Sequence, residues 1–204
     1  MTPKREIDPA GSQPANALLI CCSESPLLSA FVYSLEPRCI LQNLGGTLPE
    51  KPPTISAAKS GGDSAWGTVA YALDQLALRH IVICGHSRCC VPPMWLRGKW
   101  GTVIKDMEPD SAMIRQLSDA NRASQPWLTE QMTRLDRFLA HSRHRADTTT
   151  HALWFDEDRR EILMMSGASR RFVSVNDAEI QQFLLLLGLT QERAQEVLKR
   201  FRQI

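Results

Sequence analysis

Apolar and polar residues fall in blocks along this chain, and the blocks predict its elements. Ala17-Leu18-Leu19-Ile20-Cys21-Cys22 is apolar at every position and stops at Ser23-Glu24-Ser25-Pro26. A short unbroken run of this kind fits a strand buried on both faces. Cys39-Ile40-Leu41 is a second run, ending at Asn43-Leu44-Gly45-Gly46, and a Pro- and Gly-rich loop follows from Pro49 to Gly62. Over 64–79, Val69, Leu73, Leu76 and Ala77 recur at helical spacing. His80-Ile81-Val82-Ile83-Cys84 is a third buried strand, halted at Gly85. Residues 91–110 read as irregular, broken by Pro92, Pro93, Gly98 and Gly101. Helices are predicted over 111–121 and 127–142. Leu128, Met132, Leu135 and Leu139 form the stripe of the second, and Pro126 sits in its first turn. Residues 152–155 and 162–165 flank Asp156-Glu157-Asp158-Arg159 as strand, turn and strand. Two helices, 177–187 and 191–203, close the chain, with Gly188 stopping the first and Thr190 capping the second.

Strands alternating with helices predict an α/β fold. The expected sheet is mainly parallel, about four parallel strands plus one antiparallel edge strand, flanked by helices. The division expected is a flexible arm over 1–16, a main domain over 17–166 and a helical extension over 167–204. In such sheets functional groups collect at the carboxyl ends of strands. Here those ends carry Cys22-Ser23-Glu24, Asn43-Leu44-Gly45 and His86-Ser87-Arg88-Cys89.

Composition changes this picture little. With 43% hydrophobic and 23% charged residues the chain reads as globular. Lys+Arg total 24 against 22 Asp+Glu, a net charge of +2 that points to no nucleic-acid partner. No apolar run approaches the ~20 residues of a membrane span, so no membrane partner is expected. The first 16 residues are polar, which predicts a cytoplasmic protein with reduced cysteines. Six reduced cysteines are expected as metal ligands, nucleophiles or core residues.

His86 and Cys89 lie three apart just past a strand end, and Cys22 ends another strand. Neighbouring strands are ~5 Å apart, so the three can converge on a Cys₂His site of the kind catalytic zinc uses. Spacing alone equally fits a core cysteine beside a surface histidine.

The surrounding residues resemble the β-class carbonic anhydrases. That family carries Cys-Ser-Asp-Ser-Arg at its first strand end, Arg-Asn-Ala-Gly-Asn at its second and Cys-Gly-His-Ser-x-Cys-Gly at its third. This chain has Cys22-Ser23-Glu24-Ser25-Pro26, Gln42-Asn43-Leu44-Gly45-Gly46 and Cys84-Gly85-His86-Ser87-Arg88-Cys89-Cys90. Trp154-Phe155-Asp156 is similar to the family's later Gly-Trp-x-Tyr-Asp strand. The resemblance implies zinc (Zn2+) bound by Cys22, His86 and Cys89, and interconversion of carbon dioxide and bicarbonate. It also implies a homodimer or higher homo-oligomer.

Several positions depart from the pattern. Glu24 stands for the family's Asp, Pro26 and Gln42 for its two arginines, and Cys90 for its last Gly. In the family the Asp accepts a hydrogen bond from zinc-bound water and the first Arg holds it there. Glu24 therefore has two expected roles: catalytic, orienting the attacking hydroxide, or fourth metal ligand, closing the site. Three functions stay open: a carbonate dehydratase, a hydrolase of a related small heterocumulene, or an inactive zinc-stabilised binding or regulatory homologue. Arg88 is the nearest candidate to replace the missing arginine. Cys21, Cys39 and Cys84 are expected in the core, and Cys90 in packing. His80, His141, His144 and His151 are expected at the surface. Trp95 and Trp100 are expected to pack on their own domain, and the terminal helices to cover their own sheet.

Overall fold

The apolar run of residues 17–22 forms β1 (Ala17–Cys22), and every one of its side chains is buried. This computed structural model describes residues 16–32, 40–50, 64–76, 78–89, 91, 111–167 and 169–203. Residues 1–15 of the expected arm over 1–16, Cys39, Cys90, Trp95, Trp100 and most of the 51–62 and 91–110 loops lie outside the described residues.

The other elements, in order, are α1 (Pro26–Val32), β2 (Ile40–Asn43), a 3₁₀ turn (Leu44–Gly46), α2 (Ser64–Gln75), β3 (His80–His86) and α3 (Ser111–Ala140). After a second 3₁₀ turn (Arg145–Asp147) come β4 (Thr149–Asp156), β5 (Glu161–Met165), β6 (Phe172–Ser174), α4 (Asp177–Leu186) and α5 (Gln191–Phe201). One sheet runs β2-β1-β3-β4-β5-β6. The first four strands are parallel, and β5 is antiparallel to both β4 and β6. The fold is thus the α/β class expected, with β6 added beyond the expected edge strand.

Successive residues of the central strands face opposite layers. Leu19, Cys21, Val82, Cys84, Leu153 and Phe155 pack against α1, α4 and α5. Leu18, Ile20, Ile81, Ile83, Ala152 and Trp154 pack against α2 and α3. Cys21 and Cys84 are core residues as expected, and burial pushes the Cys21 thiol up to about 12. The terminal helices cover their own sheet through Phe183, Leu184, Val197 and Leu198. Their ends follow local chemistry. Gly188 (φ 88) takes the left-handed position after α4 while Leu189 N donates to Leu184 O, and Thr190 Oγ1 accepts from Arg193 N.

Two helices differ from the sequence reading. The predicted 111–121 and 127–142 helices are one, with Pro126 inside it. Proline removes a single backbone donor, which interrupts the ladder without ending it when flanking residues stay helical. α1 was not predicted. It starts with Pro26 at its first helical position, where a missing donor costs nothing, and buries Leu27, Ala30 and Phe31 at i, i+3 and i+4 spacing.

At the amino ends of the strands, far from the three chemically marked loops, His80 and His151 are not the surface residues expected. Both are half-buried, and His80 Nδ1 lies 3.1 Å from His151 Nε2. Phe183 meets the His151 ring edge-on at 5.0 Å. Burial, then the neighbouring His80, holds His151 down to about 4, and burial with Arg79 lowers His80. Between pH 6.5 and 4 the unfolded chain therefore binds a proton at His151 that the folded chain refuses. Stability is full above that window and falls as pH falls through it. Urea unfolding should show the natural chain losing about 1–2 kcal/mol more than His151→Gln between pH 7 and pH 5. Equal losses would show that the pair does not titrate with unfolding.

Candidate metal centre

The carboxyl ends of β1, β2 and β3 meet because these strands are adjacent and parallel, with Cys22 opposite Asn43 and Cys21 opposite Cys84. Cys22 is the last residue of β1 and His86 the last of β3, one position earlier than a place past the strand end. Cys89 follows a tight turn in which Arg88 has φ 59. Cys22, Glu24, His86 and Cys89 each bring a ligand atom to one point, all within 4.8 Å of one another. Cys22, His86 and Cys89 are buried and Glu24 is exposed.

The donor geometry fits zinc on two observations. Cys22 Sγ and Cys89 Sγ are 3.8 Å apart. Two zinc–sulfur bonds of about 2.3 Å at a tetrahedral angle require a separation of about 3.8 Å. His86 Nδ1 is engaged 2.9 Å from Glu157 Oε1, which leaves Nε2 buried without a hydrogen-bond partner. A buried orphan nitrogen among two sulfurs and a carboxylate is what a metal would satisfy.

The electrostatics favour the thiolate of Cys22 and the protonated form of His86, whose proton a metal would displace. Cys22 is lowered to about 4 by Cys89, His86 and the backbone amides of Glu24 and Gly45, which together outweigh its burial. Those amides lie 3.4 and 3.2 Å from its sulfur. Burial alone would lower His86, but Cys22 and Glu157 outweigh it and the net direction is upward.

The loop that supplies the Gly45 amide is held from both sides. The Asn43 side chain closes it, donating to Thr47 O at 2.9 Å and accepting from Thr47 N at 2.7 Å. From α3, Trp127 Nε1 donates to Gly45 O at 3.0 Å. Gln131 Oε1 accepts from Leu48 N, and Arg134 Nη1 donates to Leu48 O. Trp127 also packs with Cys22, Cys89 and Val91. These α3 residues were missed because their spacing reads only as one more helix face. Gly45 has φ +72, and a Cβ there would meet Val91 at 2.8 Å. Gly45→Ala is therefore expected to cost about 2–3 kcal/mol in denaturant unfolding, from left-handed strain and overpacking. A loss below about 0.5 kcal/mol would show that the loop yields freely.

Other sequence candidates lie elsewhere. Arg88 pairs with Asp158. His144 joins Asp74 at 2.6 Å, beside Arg143.

A family model described as carbonic anhydrase matches residues 17–156. The chain belongs to the carbonic anhydrase family. A curated carbonic anhydrase from Pseudomonas aeruginosa is 29% identical over 191 residues, covering 81% of this chain and 80% of the relative. Among solved structures, the β-carbonic anhydrase CcaA superposes with a TM-score of 0.55 at 21% identity, over 82% of this chain and 80% of its own. The β-carbonic anhydrase CafA of Aspergillus fumigatus covers 94% of this chain and 85% of its own, with 18% identity and a TM-score of 0.48. Family and fold together place this carbonic anhydrase relative in the β class. No helix among its described residues is long and apolar enough to cross a membrane.

Proposed function

We propose that this protein is a zinc carbonic anhydrase whose fourth metal position is capped by its own Glu24. The reading rests on one observation, the convergence of the Cys22, Glu24, His86 and Cys89 ligand atoms within 4.8 Å. Cys22 and Cys89 would hold the metal as thiolates and His86 through Nε2. Zinc supplies Lewis acidity toward water, the basis for hydrating carbon dioxide to bicarbonate.

Glu24 decides access. Pro26 opens α1 and offers no side-chain donor, so no cation two residues on draws the carboxylate aside. Arg88, the nearest replacement, is engaged by Asp158. In the capped state Glu24 would contribute a carboxylate oxygen as ligand. Swung off, the same oxygen would accept a hydrogen bond from the attacking water and orient it. The missing arginines favour a second reading, in which the zinc only staples a binding or regulatory protein.

Stopped-flow carbon dioxide hydration with metal analysis on the same sample separates the two. Slow turnover that rises when Glu24 is released supports the capped enzyme, and none in any Glu24 variant supports the staple. The family resemblance also supports a homodimer or larger homo-oligomer. No disulfide joins the described cysteines Cys21, Cys22, Cys84 and Cys89, which suits a reducing cytoplasm.

A further inference from the structure

We propose that Glu157 is the positioning residue of this centre, holding His86 in the one tautomer and ring orientation that presents Nε2 to the metal. The proposal builds on the zinc reading above. Glu157 was legible in the sequence only as part of the turn after β4. The structure sets its Oε1 2.9 Å from His86 Nδ1, with His86 3% exposed and Glu157 25% exposed. An ionised carboxylate can only accept, so the proton of a neutral His86 must sit on Nδ1. Nε2 then carries a bare lone pair, and Nε2 is the buried nitrogen without a partner. A carboxylate behind a ligating imidazole also raises its basicity as a donor.

Glu157 is itself held in place by the strand ends it bridges. β3 and β4 pair in parallel with His86 opposite Phe155. Beyond that pair, Ser87 N donates to Phe155 O at 2.8 Å and Glu157 N donates to Ser87 Oγ at 2.9 Å. Ser87 is fully buried. Arg88 pairs with Asp158. Asp156 Oδ1 accepts from the amides of Asp158 and Arg159, at 3.0 and 3.1 Å, and closes the turn. The residues on either side of His86 and of Glu157 are thus laced to each other. An incidental surface ion pair has no such support.

The test uses Glu157→Ala and Glu157→Gln, with folding checked by circular dichroism. Zinc affinity is read by competition with a chromophoric chelator. Glu157→Ala should bind zinc about 10–100-fold more weakly, and Glu157→Gln, which keeps an acceptor but no charge, should recover part of that loss. A second readout needs no metal. Long-range ¹⁵N imidazole spectra of the zinc-free protein at pH 9 should place the His86 proton on Nδ1 in the natural chain and in Glu157→Gln, and on a mixture of both nitrogens in Glu157→Ala. An alanine variant with natural zinc affinity and an unchanged tautomer would overturn the proposal. A natural chain that takes up no zinc would overturn the metal reading instead, and the tautomer spectra would then decide the positioning role alone.

Discussion

Protein purified without chelator should carry about one zinc per chain, and Cys89→Ser should lower that content at least tenfold. The expectation follows from chemistry and geometry together. Cys89 is 4% exposed and its sulfur is 3.8 Å from that of Cys22, which is poised as a thiolate with a pKa of about 4. A serine hydroxyl stays protonated at neutral pH and is a poor zinc ligand. Structural zinc sites of this kind bind with about 10–16 kcal/mol, so losing one thiolate removes enough to empty the site. Cys84→Ser is the control. Cys84 is equally buried, but on the α1, α4 and α5 side of the sheet, so it should lose stability and keep zinc. Less than a tenth of a zinc per folded natural chain would sink the site. Equal loss in both variants would mean that misfolding, not ligation, sets the metal content.

The second large effect belongs to the pair Glu24→Asp with Pro26→Arg. The double variant should hydrate carbon dioxide at least tenfold faster than the natural chain, a change of about 1.4 kcal/mol in barrier. Aspartate shortens the reach toward the metal by one methylene. Arginine at the first position of α1 puts a bidentate cation two residues from that carboxylate, where proline has only a ring. The carboxylate is then drawn off the fourth position and kept as a hydrogen-bond acceptor. Stopped-flow indicator assays on zinc-matched samples measure the rate. If the natural chain is already fast and the double variant is no faster, Glu24 does not cap the metal.

The parts of the fold that could be read from the chain were those where burial dictates every residue in a run. β1 and β3 have no polar position between their ends, so their type and placement followed directly. The meeting of Cys22 with His86 and Cys89 was legible because parallel strand ends gather side chains on one edge. α1 was missed because its seven residues show the helical spacing only once, at Leu27, Ala30 and Phe31. β6 has three residues, too few to show alternation. Glu157 and the His80–His151 pair could not be read, since each depends on strand register. His80 aligns with Thr149 and Val82 with His151, and no local pattern reports which residues of two distant strands become neighbours.

Cys22 and Cys89 are 67 residues apart in sequence. Between them run α1, β2, α2 and the whole of β3, and their sulfurs meet only after β1 and β3 have paired in parallel. Non-local parallel pairing is slow, because its loop-closure entropy is spent before any contact rewards it. The centre is therefore expected to form after that pairing rather than to nucleate it. A late-forming tether restrains escape from the native state and leaves the approach to it unchanged. A metal bound there would act on lifetime: it would set how long the strand ends stay together, while the apolar runs set how quickly they find one another.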